Sequence, residues 1–152
     1  MAKRILVPLD TRDDSEAIVP VVTAMAQRSG GSVRLVRVSP PPERVVGPYG
    51  RTIAYSDQEM ARVTGEGLDD LQRVEAEVHG VPVDSVVRFG DPVTEILLEA
   101  EAFDADLIAL AASPRGRLRR AVAPGVADRL IAKAPVPTLV LHRSGEGARR
   151  VA

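Results

Sequence analysis

Five short apolar runs, separated by segments of helical period, constrain this chain more than any other feature. They are "RILVPL" (4–9), "SVRLVRV" (32–38), "PVDSVVRF" (82–89), "ADLIALAA" (105–112) and "VPTLVLH" (136–142). Runs of this length, rich in β-branched residues, read as strands buried on both faces. Between them, apolar residues recur at steps of three and four. The first such segment spans about Ser15 to Arg28, with Ile18, Val21, Val22 and Met25 on one face and Gly30-Gly31 as its stop. The second runs from about Asp57 to Val78 and carries Met60, Val63, Gly67, Leu71, Val74 and Val78. Gly67 in its middle reads as a point of close packing. The third opens at Gly90-Asp91-Pro92, with Pro92 in its first turn and Val93, Ile96, Leu97 and Ala100 inward. Val126 to Lys133 forms a last, short helix.

Strands alternating with helices join by crossovers into a parallel sheet covered on both faces. The expected fold is therefore one doubly wound α/β domain over residues 1–143, followed by a flexible tail at 144–152. The Pro-rich stretch "SPPPERVVGPYGRTIAYS" (39–56) reads as a loop with little regular structure. Its two functional readings are a flap over the binding crevice and a surface for a protein partner.

Composition excludes several classes of function. The formal net charge is −1, whereas a dedicated nucleic-acid binder carries a basic surplus. The aromatic residues are Tyr49, Tyr55, Phe89 and Phe103, too few for a base-stacking surface. There is no cysteine, hence no disulfide, thiol catalysis or thiolate metal site. The first apolar run is too short for a signal peptide or a membrane span, so a cytoplasmic location is expected. Arginine outnumbers lysine eighteen to two, a bias of composition before it is one of function.

In sheets of this kind a ligand sits outside the carboxyl ends of the strands, where the strand order reverses. That places the crevice between Asp10 and the stretch "ASPRGRLRRAVAPGVADRL" (112–130). Arg115, Arg117, Arg119 and Arg120 make this loop basic, and guanidinium forks offer paired donors to an anion. Asp10, Asp13, Asp14 and Glu16 form an acidic cluster, read as favourable charge at a helix N-terminus rather than as a metal site. His79 and His142 lack a metal-ligand partner set, and Ser113 lacks a nucleophile elbow. No catalytic and no metal-ligating set is read.

Three segments, in this order and spacing, resemble the universal stress protein family: "ILVPLD…SEA", "GDPVTEILLEAEAFDADLIAL" and "GVADRLIAKAPVPTLVLH". The resemblance covers about residues 3 to 142. It implies a five-stranded parallel sheet of order 3-2-1-4-5, of the adenine-nucleotide α-hydrolase-like type, and homodimers paired through the last strand, 136–142. It also implies that Asp10 and Val38 occupy the positions of adenine contacts. The family's ATP-binding branch resembles G-x-x-G-x9-G-[Ser/Thr], in which glycines admit the phosphates and helix N–H groups and a hydroxyl bind them. Anchored on "VADRL", the four signature positions here hold Ala111, Pro114, Pro124 and Gly125, and none matches. A register one residue shorter makes Gly116 and Gly125 the second and third glycines, but Val126 then stands in place of the hydroxyl. Two lost charge-assisted donors, at about 1.5–3 kcal/mol each, weaken binding by roughly a hundredfold or more.

The sequence thus leads to a non-enzymatic, cytoplasmic, dimeric stress-response protein without tight ATP binding and with no cofactor expected. The alternative is an ATP- or AMP-binding stress protein that uses Asp10, Val38, Arg115, Gly116, Arg117, Gly125 and Val126. No nucleic acid and no membrane is expected as a partner. A proline at Leu139 is expected to give a monomer or an insoluble chain.

Overall fold

The first strand is the axis of the molecule. Ile5, Leu6 and Val7 are all fully buried, which only a central strand with helices on both faces achieves. Each such side chain contributes about 1.5–3 kcal/mol through removal of its surface from water. The computed structural model describes residues 2–10, 17–42, 45–46, 48–50, 52–54, 56–112 and 125–142. In these, β1 (Arg4–Pro8), α1 (Val19–Ser29), β2 (Ser32–Ser39), β3 (Val45–Val46), β4 (Thr52–Ala54) and α2 (Ser56–Glu75) come first. They are followed by β5 (Val83–Phe89), α3 (Pro92–Phe103), β6 (Leu107–Ala112), α4 (Val126–Lys133) and β7 (Thr138–His142).

The main sheet has the order β5-β2-β1-β6-β7, and its four pairings are all parallel. With the β3–β4 ribbon set aside, that is the order 3-2-1-4-5 expected from the resemblance. Right-handed crossovers explain the layers. The chain moves one way along the sheet through α1 and α2, then returns through α3 and α4, so each pair of helices covers its own face. Ile5, Val7, Val33, Leu35 and Ala109 pack under α1 and α2, while Leu6, Val36, Ile108 and Leu110 pack under α3 and α4. The two-residue period of each strand separates the two cores.

The same alternation explains the arginines in β2. Arg37 projects to the α2 side and pairs with Asp70 at 2.9 Å. Arg34 projects to the α3 side, where it pairs with Asp84 of β5 and with Glu99 of α3, both at 2.9 Å. Arg88 of β5 joins Glu99 and Glu95 at 2.8 Å. Glu99 is only 3% exposed, so the two guanidinium groups supply the charge its burial requires. The Arg34 guanidinium also lies 4.4 Å from the centre of the Phe103 ring.

Two glycines sit at close approaches, the first against backbone and the second against a side chain. A Cβ on Gly31 would lie 2.6 Å from the Lys3 carbonyl oxygen, and one on Gly67 would lie 3.0 Å from Val87 Cγ2. The second distance bears out close packing as the reason for a glycine inside α2.

The stretch 39–56 differs from expectation. It contains a two-stranded antiparallel ribbon, Val45 pairing with Ala54 and Val46 with Thr52, joined by a short 3-10 turn at Pro48–Gly50. The runs "VV" and "TIA", of two and three residues, carry too little period to read as strands in a Pro-rich stretch. Tyr49, at the turn, has a left-handed backbone (φ 66°) and a fully exposed ring. The ends of other elements move by a few residues: α2 stops at Glu75 rather than Val78, and β7 begins at Thr138 rather than Val136. The tail 144–152 lies outside the described residues.

Candidate functional site

A crevice of about 170 Å³ opens at the carboxyl ends of β1 and β2. It is lined by Pro8, Leu9, Asp10, Val36, Val38, Pro92, Ile96 and Val126. Each element delivers its part for a local reason. β1 ends at Pro8, yet the Leu9 N–H still donates to the Val36 carbonyl at 2.9 Å, which carries Asp10 past the sheet edge. Val36 and Val38 follow from the alternation of β2 and face α3. Pro92 and Ile96 come from the first turns of α3, which begins abruptly. The Asp91 side chain accepts from the Thr94 N–H at 3.0 Å and from its hydroxyl at 2.9 Å, a side-chain N-cap with proline following.

The Thr94 N–H, more than any other group, holds the Asp91 carboxyl below the usual carboxylate range. Arg129 of α4 reaches the same carboxylate at 3.3 Å. That bridge joins the start of α3 to α4, where Ile96 and Val126 share the same buried core cluster. Val126 is 4% exposed. Gly125 precedes it as the N-cap, with φ 84° and no side-chain hydrogen bond to the helix. Its backbone favours glycine, and a serine there would carry left-handed strain.

Of the residues singled out in the sequence, Asp10, Val38 and Val126 converge on this crevice, with Gly125 adjacent to Val126 in the chain. Arg115, Gly116 and Arg117 lie outside the described residues, as do Asp13, Asp14, Glu16, Arg119, Arg120, Ser113, Pro114 and Pro124. Pro92 and Ile96 were not foreseen as lining residues. Their signal was present, because a helix that opens directly after a strand presents its first turns at the carboxyl edge of the sheet. Asp10 is the one ionisable side chain among the described lining residues. Otherwise the crevice is apolar. Such a pocket accepts a flat apolar group and orients it through one polar contact. No group of three or more metal-ligating side chains occurs among the described residues.

Comparison with known proteins now bears on the fold. The model of the universal stress protein family matches residues 1–142. The chain belongs to the universal stress protein family. The solved structure of the hypothetical protein MJ0577 is similar with a TM-score of 0.72 at 21% identity, over 95% of this chain and 98% of that one. A universal stress protein from Archaeoglobus fulgidus, in complex with dAMP, has a TM-score of 0.56 at 20% identity, over 91% and 96% of the two chains. One from Arabidopsis thaliana, with AMP bound, has a TM-score of 0.63 at 16% identity, over 98% and 97%. No curated protein matches the chain. At these identities the structural likeness speaks for the fold, while the family model carries the membership. This universal stress protein holds a five-stranded parallel sheet, with the β3–β4 ribbon lying between β2 and α2 in the chain. No helix among the described residues is long and apolar enough to cross a membrane.

Proposed function

We propose that this universal stress protein is a non-enzymatic, dimeric regulatory module of the cytoplasm that does not hold ATP tightly. The observation that carries the reading is the start of α4. Its cap is Gly125, and the next side chain is the buried Val126, so among the described residues the start of α4 brings backbone N–H groups but no hydroxyl to this end of the crevice. Among the described lining residues Asp10 alone is ionisable, which supports binding rather than acid–base catalysis, since the latter works through positioned donors and acceptors together.

The dimer forms through β7. This strand is at the edge of the sheet, and Thr138, Leu139, Val140 and Leu141 are only partly buried. An apolar edge with free backbone groups invites pairing with another strand. The β3–β4 ribbon, with the exposed Tyr49 at its turn, is the surface offered to a protein partner.

A second reading has its own support. Asp10, Val38 and Val126 meet in one crevice, and relatives of the same fold hold AMP and dAMP. On that reading the crevice takes the adenosine portion of a nucleotide, Asp10 orients it, and Arg115, Gly116, Arg117 and the Gly125 helix end meet the phosphate. Calorimetric titration with ATP and with AMP separates the two. The leading reading expects ATP to bind no more tightly than about 100 μM, some hundredfold short of a micromolar site. Micromolar ATP binding that is lost in Asp10→Ala, or in the paired Arg115→Ala and Arg117→Ala variant, would establish the second reading instead.

A further inference from the structure

We propose that the groove between α3 and α4 is a second ligand site, for a free α-amino acid with a large apolar side chain. The groove has a volume of about 480 Å³, in the range of small-molecule sites and larger than the crevice beside Asp10. It is a separate space. Val93, Leu97, Ala100, Ala105 and Val136 form its apolar lining, and none of them lines the crevice. The proposal therefore stands apart from any nucleotide reading.

The sequence builds the groove in a simple way. Residues 94, 97, 98 and 101 follow one another at helical spacing, so they form a stripe along α3. On α4, Arg129 and Lys133 are one turn apart and face the same side. Arg129 crosses to Asp91 and ties the helices together at the N-terminal end of α3. At the other end no ion pair joins Lys133 to Glu101 or Asp104 among the described residues, although all three line the groove. The helices are thus bridged at one end and open at the other. Leu98 lies on the lip and is 45% exposed, an apolar cost that a bound apolar group would offset.

Charge defines what the open end accepts. Glu101 and Asp104 stand on the α3 wall, where the negative end of the helix dipole adds to their field and favours an ammonium group. Lys133 stands on the α4 wall and favours a carboxylate. Both signs occur at the same end, and apart from Thr94 the other described lining residues are apolar. An α-amino acid has this arrangement, with amine and carboxylate on one carbon and the side chain pointing away from both. An organic cation alone would meet Lys133, and a fatty acid alone would meet two carboxylates. Each leaves one wall unmatched.

The test uses the full chain with labelled methyl groups, followed by NMR during titration with L-leucine, leucinamide and N-acetyl-leucine. L-leucine is expected to shift the methyl signals of Val93, Leu97, Leu98 and Val136 and to saturate with a Kd below about 1 mM. Leucinamide, which lacks the carboxylate, is expected to bind at least about tenfold more weakly, and so is N-acetyl-leucine, which lacks the amine. In Lys133→Met, an exposed substitution that spares the core, leucine and leucinamide should bind equally. In Glu101→Gln with Asp104→Asn, leucine and N-acetyl-leucine should do so. The proposal is overturned if these methyls do not respond in a saturable way, or if leucinamide or N-acetyl-leucine equals leucine on the unaltered protein.

Discussion

A proline placed in β7 tests the proposed dimer, but the position decides what is tested. The Ile108 N–H donates to the Pro137 carbonyl at 3.0 Å, and Ile108 is in register with Thr138. In a parallel ladder the Ile108 carbonyl then accepts from the residue after Thr138, so the Leu139 N–H points inward to β6. One residue further on, the Val140 N–H points outward to the open edge. Leu139→Pro therefore orphans the carbonyl of a fully buried residue, at a cost to folding of about 1–3 kcal/mol. It would abolish a dimer only by damaging the monomer. Val140→Pro leaves the ladder intact and removes an outward donor, a change that an edge strand tolerates.

A two-fold axis makes that loss occur twice per dimer. At about 1 kcal/mol per hydrogen bond, the total of about 2 kcal/mol weakens dimerisation roughly thirtyfold. Sedimentation equilibrium over a range of concentrations gives the dissociation constant, and urea unfolding at low concentration gives monomer stability. The expected result is a folded Val140→Pro chain that dimerises about thirtyfold more weakly and is less destabilised than Leu139→Pro. Both changes trim a partly buried side chain, and only Leu139→Pro orphans a carbonyl. If folded Val140→Pro associates as tightly as the unaltered chain, β7 pairing is not the basis of the dimer.

Two further outcomes follow from the ion pairs. Glu99→Ala leaves Arg34 with Asp84 and Arg88 with Glu95, so its cost should fall below that of a fully broken buried pair, at about 2–3 kcal/mol by urea unfolding; a loss under about 0.5 kcal/mol would show that Glu99 is not held as the structure places it. The Asp91 carboxyl has a depressed pKa in the folded chain, so its stabilising effect is present above the unfolded carboxylate value and is lost as pH falls through the folded one. The melting-temperature gap between the unaltered protein and Asp91→Ala should accordingly be widest near neutral pH and narrow in acid. A gap that stays constant down to about pH 2 would refute the capping role.

By itself the sequence determined the elements of the main sheet and the helices, because burial on two faces writes continuous apolar runs and burial on one face writes a helical period. The three family segments led further, to the strand order. The resemblance put Val38 at the position of an adenine contact, and the end of β1 placed Asp10 at the carboxyl edge. The ribbon of Val45–Val46 and Thr52–Ala54 leaves no mark in the sequence, because strands of two and three residues have no period to read. Only the tertiary structure decided that Pro92 and Ile96 of α3 share a crevice with Val126 of α4, since two elements separated in the chain supply them. The Arg129–Asp91 bridge and the groove below it belong to the same class. Helix-to-helix distances are set by packing and by long-range charge pairs, and neither leaves a local pattern in the chain.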